Sequence, residues 1–190
     1  DIDIYVCGFP CQSFSLAGSR KGMDEPRGTI FYDCLKVIKY KKPTIFILEN
    51  VKGLLSHYKG NTFEVIIIYL NKLKYYNVYH KVLNTKDYGI PQNRERIFIV
   101  GIRKDKMKKE FTFPKKKKMK KIESYIDQTV IKKDKPYDFC KEKLKKSKGV
   151  FVDLMFVNIT SLTSYQNYCP TLNTHSELWC VPKHRYASVK

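Results

Sequence analysis

Ile2-Asp3-Ile4-Tyr5-Val6-Cys7-Gly8-Phe9-Pro10-Cys11-Gln12-Ser13-Phe14-Ser15 carries an apolar run straight into a turn of glycine, proline and small polar residues. Residues 2–7 read as a buried strand, and Gly8 and Pro10 end it. A cysteine is thereby set just past a strand end, ahead of a polar stretch. Working outward, residues 29–40 put Phe31, Leu35 and Ile38 on one helical face, and Lys41-Lys42-Pro43 stops that helix. Residues 44–48 read as a second strand, 62–73 as a second helix with Thr62 as N-cap, and 78–83 and 97–102 as further strands. A strand, about a dozen helical residues and another strand make a right-handed crossover unit, the signature of the α/β class.

The chain has 190 residues, enough for a domain and a smaller partner. Its net charge of +19 is uneven: residues 103–148 hold 19 basic against 7 acidic residues, whereas residues 149–190 contribute only +1. A basic stretch of this kind matches an electrostatic footprint on a polyanion. The excess of lysine over arginine, with abundant Ile, Asn and Tyr, also matches an AT-rich coding bias. Beyond residue 103 the apolar pattern thins, as in a linker or a small, loosely packed domain. Within it Ile122, Tyr125, Ile126 and Val130 read as a short helix or strand, and Phe151, Leu154, Met155 and Phe156 as core.

No apolar run is long enough to cross a membrane, and no basic segment followed by an apolar one marks a secretory signal. The six cysteines are scattered without a C-x-x-C pair, so neither a zinc set nor a disulfide framework is indicated. The expected setting is intracellular: cytoplasm or nucleoid, or the nucleus of a eukaryotic or virus-infected host.

Two further stretches carry chemistry. Phe46-Ile47-Leu48-Glu49-Asn50-Val51 sets a carboxylate at the end of the second strand, and Asp87-Tyr88-Gly89-Ile90-Pro91-Gln92-Asn93-Arg94-Glu95-Arg96 sets two arginines at the mouth of another. Taken singly, such residues are a structural cysteine, a solvated carboxylate and surface arginines. Taken together and in this order, GFPCQSFS, ENVKGL and DYGIPQNRER resemble the cytosine-C5 DNA methyltransferase family, over residues 1–103 and again near the C-terminus. The resemblance implies a partial Rossmann-like S-adenosylmethionine-dependent methyltransferase sheet with a smaller target-recognition region. Residues 1–104 would be catalytic, 105–180 would recognise the target, and 181–190 would begin the return to the catalytic domain.

What the resemblance implies for the site follows residue by residue. Cys11 matches the nucleophile that adds to cytosine C6. A free thiol ionises near about 8.5, so the site must lower that value or take the proton in step. Glu49 matches the carboxyl that contacts the base at N3, and a carboxyl that donates must carry a proton. Arg96 matches the arginine on the cytosine carbonyl oxygen, and Arg94 a second arginine supporting the site. Pro10 and Ile30 match cofactor contacts. Gln12 to Gly28 matches a mobile loop closing over DNA, with Gln12, Ser13, Ser15 and Arg27 as DNA contacts. Cys169-Pro170-Thr171-Leu172-Asn173-Thr174-His175 resembles a family word close to DNA, making Thr171, Asn173 and His175 further contacts.

The expected partners are double-stranded DNA, extruding its target base, and a cognate restriction endonuclease. The expected donor is S-adenosylmethionine without a metal, and the expected state is a monomer of the restriction-modification or viral kind. Two alternatives stand beside this reading: a tRNA-methylating branch, which has Pro-Pro-Cys where Phe9-Pro10-Cys11 stands here, and an inactive nucleic-acid-binding remnant. The Gly-rich F-x-G-x-G turn that opens the domain in this family is not found, and the chain stops where a family Glu would follow Arg185-Tyr186-Ala187-Ser188-Val189-Lys190. The chain therefore reads as a fragment expected to bind the cofactor poorly alone; micromolar affinity in a direct binding assay would refute that expectation.

Overall fold

A computed structural model describes residues 2–10, 29–125, 151–153, 164–165, 169–170, 178–180 and 185–186. It divides into two units, residues 1–83 with 95–114, and residues 84–94 with 115–190.

The first unit is built on strand β1 (Ile4–Gly8), helix α1 (Thr29–Lys41), strand β2 (Ile45–Val51), helix α2 (Asn61–Asn71), strand β3 (Tyr76–Asn84) and, after the short strand β4 (Gln92–Asn93) of the second unit, strand β5 (Glu95–Arg103). The sheet runs β1-β2-β5-β3. β1 and β2 are parallel, pairing Ile4 with Ile45 and Gly8 with Glu49. The α1 crossover between them is the unit expected from the alternating pattern. β5 then enters antiparallel beside β2, pairing Phe46 with Gly101 and Val51 with Arg96. The sheet is thus mixed, and β3 is separated from β2 by β5.

One face of this sheet is the core. Phe46, Leu48, Ile97 and Ile99 are buried against Phe31, Cys34 and Ile38 of α1 and Ile66 and Leu70 of α2. On α1 those positions recur at helical spacing. Lys39 and Lys41 lie in its last turn, where positive charge suits the helix dipole. The helix stops at Lys42, whose φ is 46° and whose N–H returns to Ile38 O at 3.0 Å; Pro43 then prevents continuation. The Phe46 ring lies over the Cα of Gly101, leaving no room for a side chain there, and meets Tyr76 edge-on with centroids 5.0 Å apart.

Three sequence expectations need correction. Among the described residues the run 2–7 is not a buried strand: β1 is the end strand of its sheet, and Ile4 and Val6 on the face away from the helices are 58% and 65% exposed. Thr62 is not the N-cap of α2, because Gly60, with φ 93°, holds that position. Thr62 is the second residue of the helix and is buried, its Oγ1 2.8 Å from His57 Nδ1. The left-handed residues Tyr58, Lys59 and Gly60 reverse the chain before the helix, so the apolar periodicity fixed its face but not its start. Finally, β2 extends past the expected end at Leu48 to Val51, so Glu49 lies within the strand near its carboxyl end.

In the second unit, strands β6 (Phe151–Asp153), β7 (Ser164–Tyr165), β9 (Leu178–Cys180) and β10 (Arg185–Tyr186) form an antiparallel sheet in the order β10-β9-β6-β7. β4 pairs in parallel with β8 (Cys169–Pro170). Residues 122–125 form a 3-10 turn, whereas Ile126, Val130, Leu154, Met155 and Phe156 lie outside the described residues.

Candidate active site

Alternation along β2 sends Phe46, Leu48 and Asn50 into the helix-covered core and Glu49 to the opposite face. On that face the nearest neighbour across the parallel pairing is Gly8. A Cβ built on Gly8 would stand 3.3 Å from Glu49 Oε2. The glycine therefore leaves space for this carboxylate oxygen. From the antiparallel side comes Arg96, whose Nε lies 3.0 Å from Glu49 Oε1. Its Nη1 also donates to Glu95 O at 2.8 Å, so two contacts aim the guanidinium. The pair is partly buried, with side chains 16% and 31% exposed. One residue away, exposed Lys52 binds both oxygens of Glu95 at 3.0 Å, which leaves Glu49 to Arg96.

Asn50 fastens the other side of the strand end. It is 4% exposed; its Nδ2 donates to Phe9 O at 2.8 Å, and its Oδ1 accepts from Val51 N at 2.8 Å. The buried Phe9, in ring contact with Phe31 at 5.7 Å, is thus tied to β2. The chain leaves this anchor through exposed Pro10. The arrangement holds a carboxyl and a guanidinium side by side at the carboxyl end of β2, next to the exit of β1, where open α/β sheets take their ligands.

Of the expected site residues, the structure brings Glu49 and Arg96 together. Pro10 and Ile30 are exposed residues of the same unit. Arg94 belongs to the second unit. Cys11, Gln12, Ser13, Ser15, Arg27, Thr171, Asn173 and His175 lie outside the described residues. Sequence reasoning overlooked Asn50 and Gly8. Asn50 left a usable signal: an amide at the core-facing position after Phe46 and Leu48 must find hydrogen-bond partners. Among the described residues no group of three His, Cys, Asp or Glu side chains is placed to hold a metal, and no described helix is long and apolar enough to cross a membrane.

The family model of the C-5 cytosine-specific DNA methylases matches residues 1–173. The chain belongs to this family. It is 56% identical over 115 residues to the type II methyltransferase M.HaeII of Haemophilus aegyptius, covering 60% of this chain and 35% of that protein. To M.SsoII of Shigella sonnei it is 53% identical over 116 residues, covering 60% and 30%. The orphan methyltransferase M.SPRI of Bacillus phage SPR is 46% identical over 110 residues, covering 58% and 25%. The chain thus spans about a third or less of the length of these relatives.

Among solved structures, S. pombe Dnmt2 methyltransferase aligns with TM-score 0.51 and 22% identity, over 68% of this chain and 42% of that one. A prophage-encoded E. coli protein described as a DNA modification methyltransferase aligns with TM-score 0.57 and 20% identity, over 90% and 62%. These likenesses concern the fold: a partial, mixed α/β sheet of the Rossmann-like methyltransferase kind.

Proposed function

We propose that this C-5 cytosine-specific methylase transfers a methyl group from S-adenosylmethionine to C5 of a cytosine extruded from double-stranded DNA. The observation that carries the reading is the Glu49–Arg96 pair beside Gly8, at the strand end from which the chain runs through Pro10 into Cys11. Cytosine C5 is a weak nucleophile. The Cys11 thiolate adds to C6 and pushes electrons into the ring. Arg96 meets the carbonyl oxygen, and Glu49 stabilises the charge that develops at N3 by hydrogen bonding there. Oε2, beside Gly8, is the oxygen suited to this, because Oε1 is engaged by Arg96. With S-adenosylmethionine bound, the activated C5 would take its methyl and a neutral thioether would leave; loss of the C5 proton would then re-form the ring double bond and expel Cys11. Arg94 serves as a second supporting arginine.

The fit to S-adenosylmethionine, which supplies the electrophilic methyl, rests on Pro10 and Ile30, apolar and exposed enough to border a nucleoside. The donor set calls for no metal. Base extrusion costs roughly a few kcal/mol. The loop residues Gln12, Ser13, Ser15 and Arg27, with Thr171, Asn173 and His175, would repay it through contacts with DNA. In this reading residues 1–104 are catalytic, 105–180 recognise the target and 181–190 return to the catalytic domain. The protein acts as a monomer inside the cell, with a cognate restriction endonuclease as partner.

The test is covalent trapping. The full-length gene product is incubated with S-adenosylmethionine and duplex DNA carrying 5-fluorocytosine, with fluorinated tRNA in parallel, and run on a denaturing gel. Fluorine at C5 cannot leave as a proton does, so a shifted DNA band that disappears in Cys11→Ser is the expected result. A band with tRNA alone would move the substrate to RNA. A folded protein giving no band with either would refute the reading.

A further inference from the structure

We propose that Asn84 and Thr85 are positioning residues for Arg94, holding its backbone so that its guanidinium is kept for the nucleic-acid ligand. The inference rests on the reading of Arg94 given above. Asn84 closes β3 with only 9% of its surface exposed. A buried amide there must have its polar atoms matched, and the matches converge on one short stretch. Arg94 N donates to Asn84 Oδ1 at 3.2 Å, and Lys86 N donates to the same oxygen at 3.3 Å. Asn84 Nδ2 donates to Asn93 Oδ1 at 2.7 Å.

The next residue completes the grip. Thr85 N donates to Arg94 O at 3.1 Å, and Thr85 Oγ1 donates to Gln92 O at 2.5 Å. Both peptide groups of Arg94 are therefore held, and the residues before it are held as well. Behind them Cys169 N donates to Pro91 O at 2.8 Å, in the parallel pairing of Gln92–Asn93 with Cys169–Pro170. Among the described residues the half-buried Arg94 side chain takes no hydrogen bond or ion pair. Arg96, by contrast, is already engaged by Glu49 and Glu95. A fixed backbone carrying an uncommitted guanidinium is the arrangement of a side chain kept for a ligand, since its backbone entropy is spent before binding.

The test is a double-mutant cycle in the full-length gene product, using steady-state methyl transfer to DNA and the trapping gel. Asn84→Ala should lower kcat/KM by about 30-fold, because a misplacement on the order of 1 Å can cost about 100-fold. Arg94→Ala should lower it at least as far, and adding Asn84→Ala to Arg94→Ala should cost nothing more. Asn84→Asp keeps the acceptor for both backbone N–H groups, and the Asn93 amide, unlike a backbone carbonyl, can turn to donate to the new carboxylate, so this variant should remain within about 3-fold, a rescue that general loosening would not show. If Asn84→Ala fails to fold, Asn84→Asp and Thr85→Val carry the test, with Thr85→Val non-additive with Arg94→Ala. Losses that add in the double variants would overturn the proposal, as would unchanged activity in Asn84→Ala and Thr85→Val beside an impaired Arg94→Ala. Full activity in Arg94→Ala would overturn both this proposal and the role of Arg94, while the Cys11-dependent band would still stand or fall separately.

Discussion

Replacing Asn50 with alanine removes the strut between β2 and the approach to Cys11. Two backbone groups lose a hydrogen bond: the Phe9 carbonyl, accepting at 2.8 Å, and the Val51 N–H, donating at 2.8 Å. Phe9 is 3% exposed, so water does not replace the hydrogen bond its carbonyl loses, at a cost of about 1–3 kcal/mol. Val51 is half-buried, so its N–H sits near the low end of that range. The expected loss is about 3 kcal/mol, which for a small domain lowers Tm by roughly 10–20 °C. Asn50→Asp sharpens the test. The carboxylate can still accept from Val51 N–H, but it sets a charged oxygen against the Phe9 carbonyl. At neutral pH it should therefore destabilise at least as much as alanine, and acid should relieve part of the loss. Urea unfolding followed by far-UV circular dichroism gives the free energy. Hydrogen exchange at β1 and β2 amides locates it in this unit. A loss under about 1 kcal/mol in Asn50→Ala, or an aspartate milder than alanine at pH 7, would refute the argument.

Gly101→Ala drives a methyl into the Phe46 ring; the expected cost is about 3 kcal/mol or more of stability, and a thermal melt matching the unaltered protein would contradict it. Gly8→Ala brings a methyl to 3.3 Å from Glu49 Oε2; stability should change by less than about 1 kcal/mol while trapping of fluorinated DNA slows by about 10-fold or more, as loss of one hydrogen-bonded contact implies. Burial, with Tyr75 adding to it, pushes the Tyr76 phenol up to about 12, and its hydroxyl donates to Pro43 O at 2.5 Å. An unfolded tyrosine ionises near about 10, so the native state holds the proton more tightly. The stability this gives is complete below about pH 10 and is lost as pH rises towards about 12. Absorbance at 295 nm should show Tyr76 ionising only with alkaline unfolding, and Tyr76→Phe should move that unfolding to higher pH. Cys34, whose thiol burial pushes up to about 11, should resist iodoacetamide at pH 8 until the protein is denatured; rapid native alkylation mapped by mass spectrometry would count against the packing of α1.

Much of the first unit was legible because its signals are local. The helical spacing of Phe31, Leu35 and Ile38 and the stop at Pro43 depend only on neighbours in the chain, although the structure buries Cys34 more deeply than Leu35 on that face. So do the apolar runs of β2 and β5. The start of α2 was misread because Thr62 resembles a cap in sequence, whereas the turn through Tyr58, Lys59 and Gly60 depends on backbone angles that no side-chain pattern announces. The exposure of Ile4 and Val6 was invisible for a related reason: an apolar strand reads alike whether one face or both are covered.

For the site, the sequence by itself determined the chemical inventory: a cysteine after a strand, a carboxylate in the next, and two arginines ahead of another, in the order that marks C-5 cytosine-specific methylases. Tertiary structure alone decided which of these meet. β5 could have joined either side of the sheet; it enters antiparallel beside β2, and this brings Arg96 to Glu49 instead of leaving it at a distant loop. Gly8 faces that carboxylate only because the parallel register sets it opposite. Asn50 reaches Phe9 across 41 residues of chain, and Asn84 closes on Arg94 across a turn. Such partners are set by strand order and register, which arise from the burial and hydrogen bonding of the whole sheet at once and are written in no single stretch of sequence.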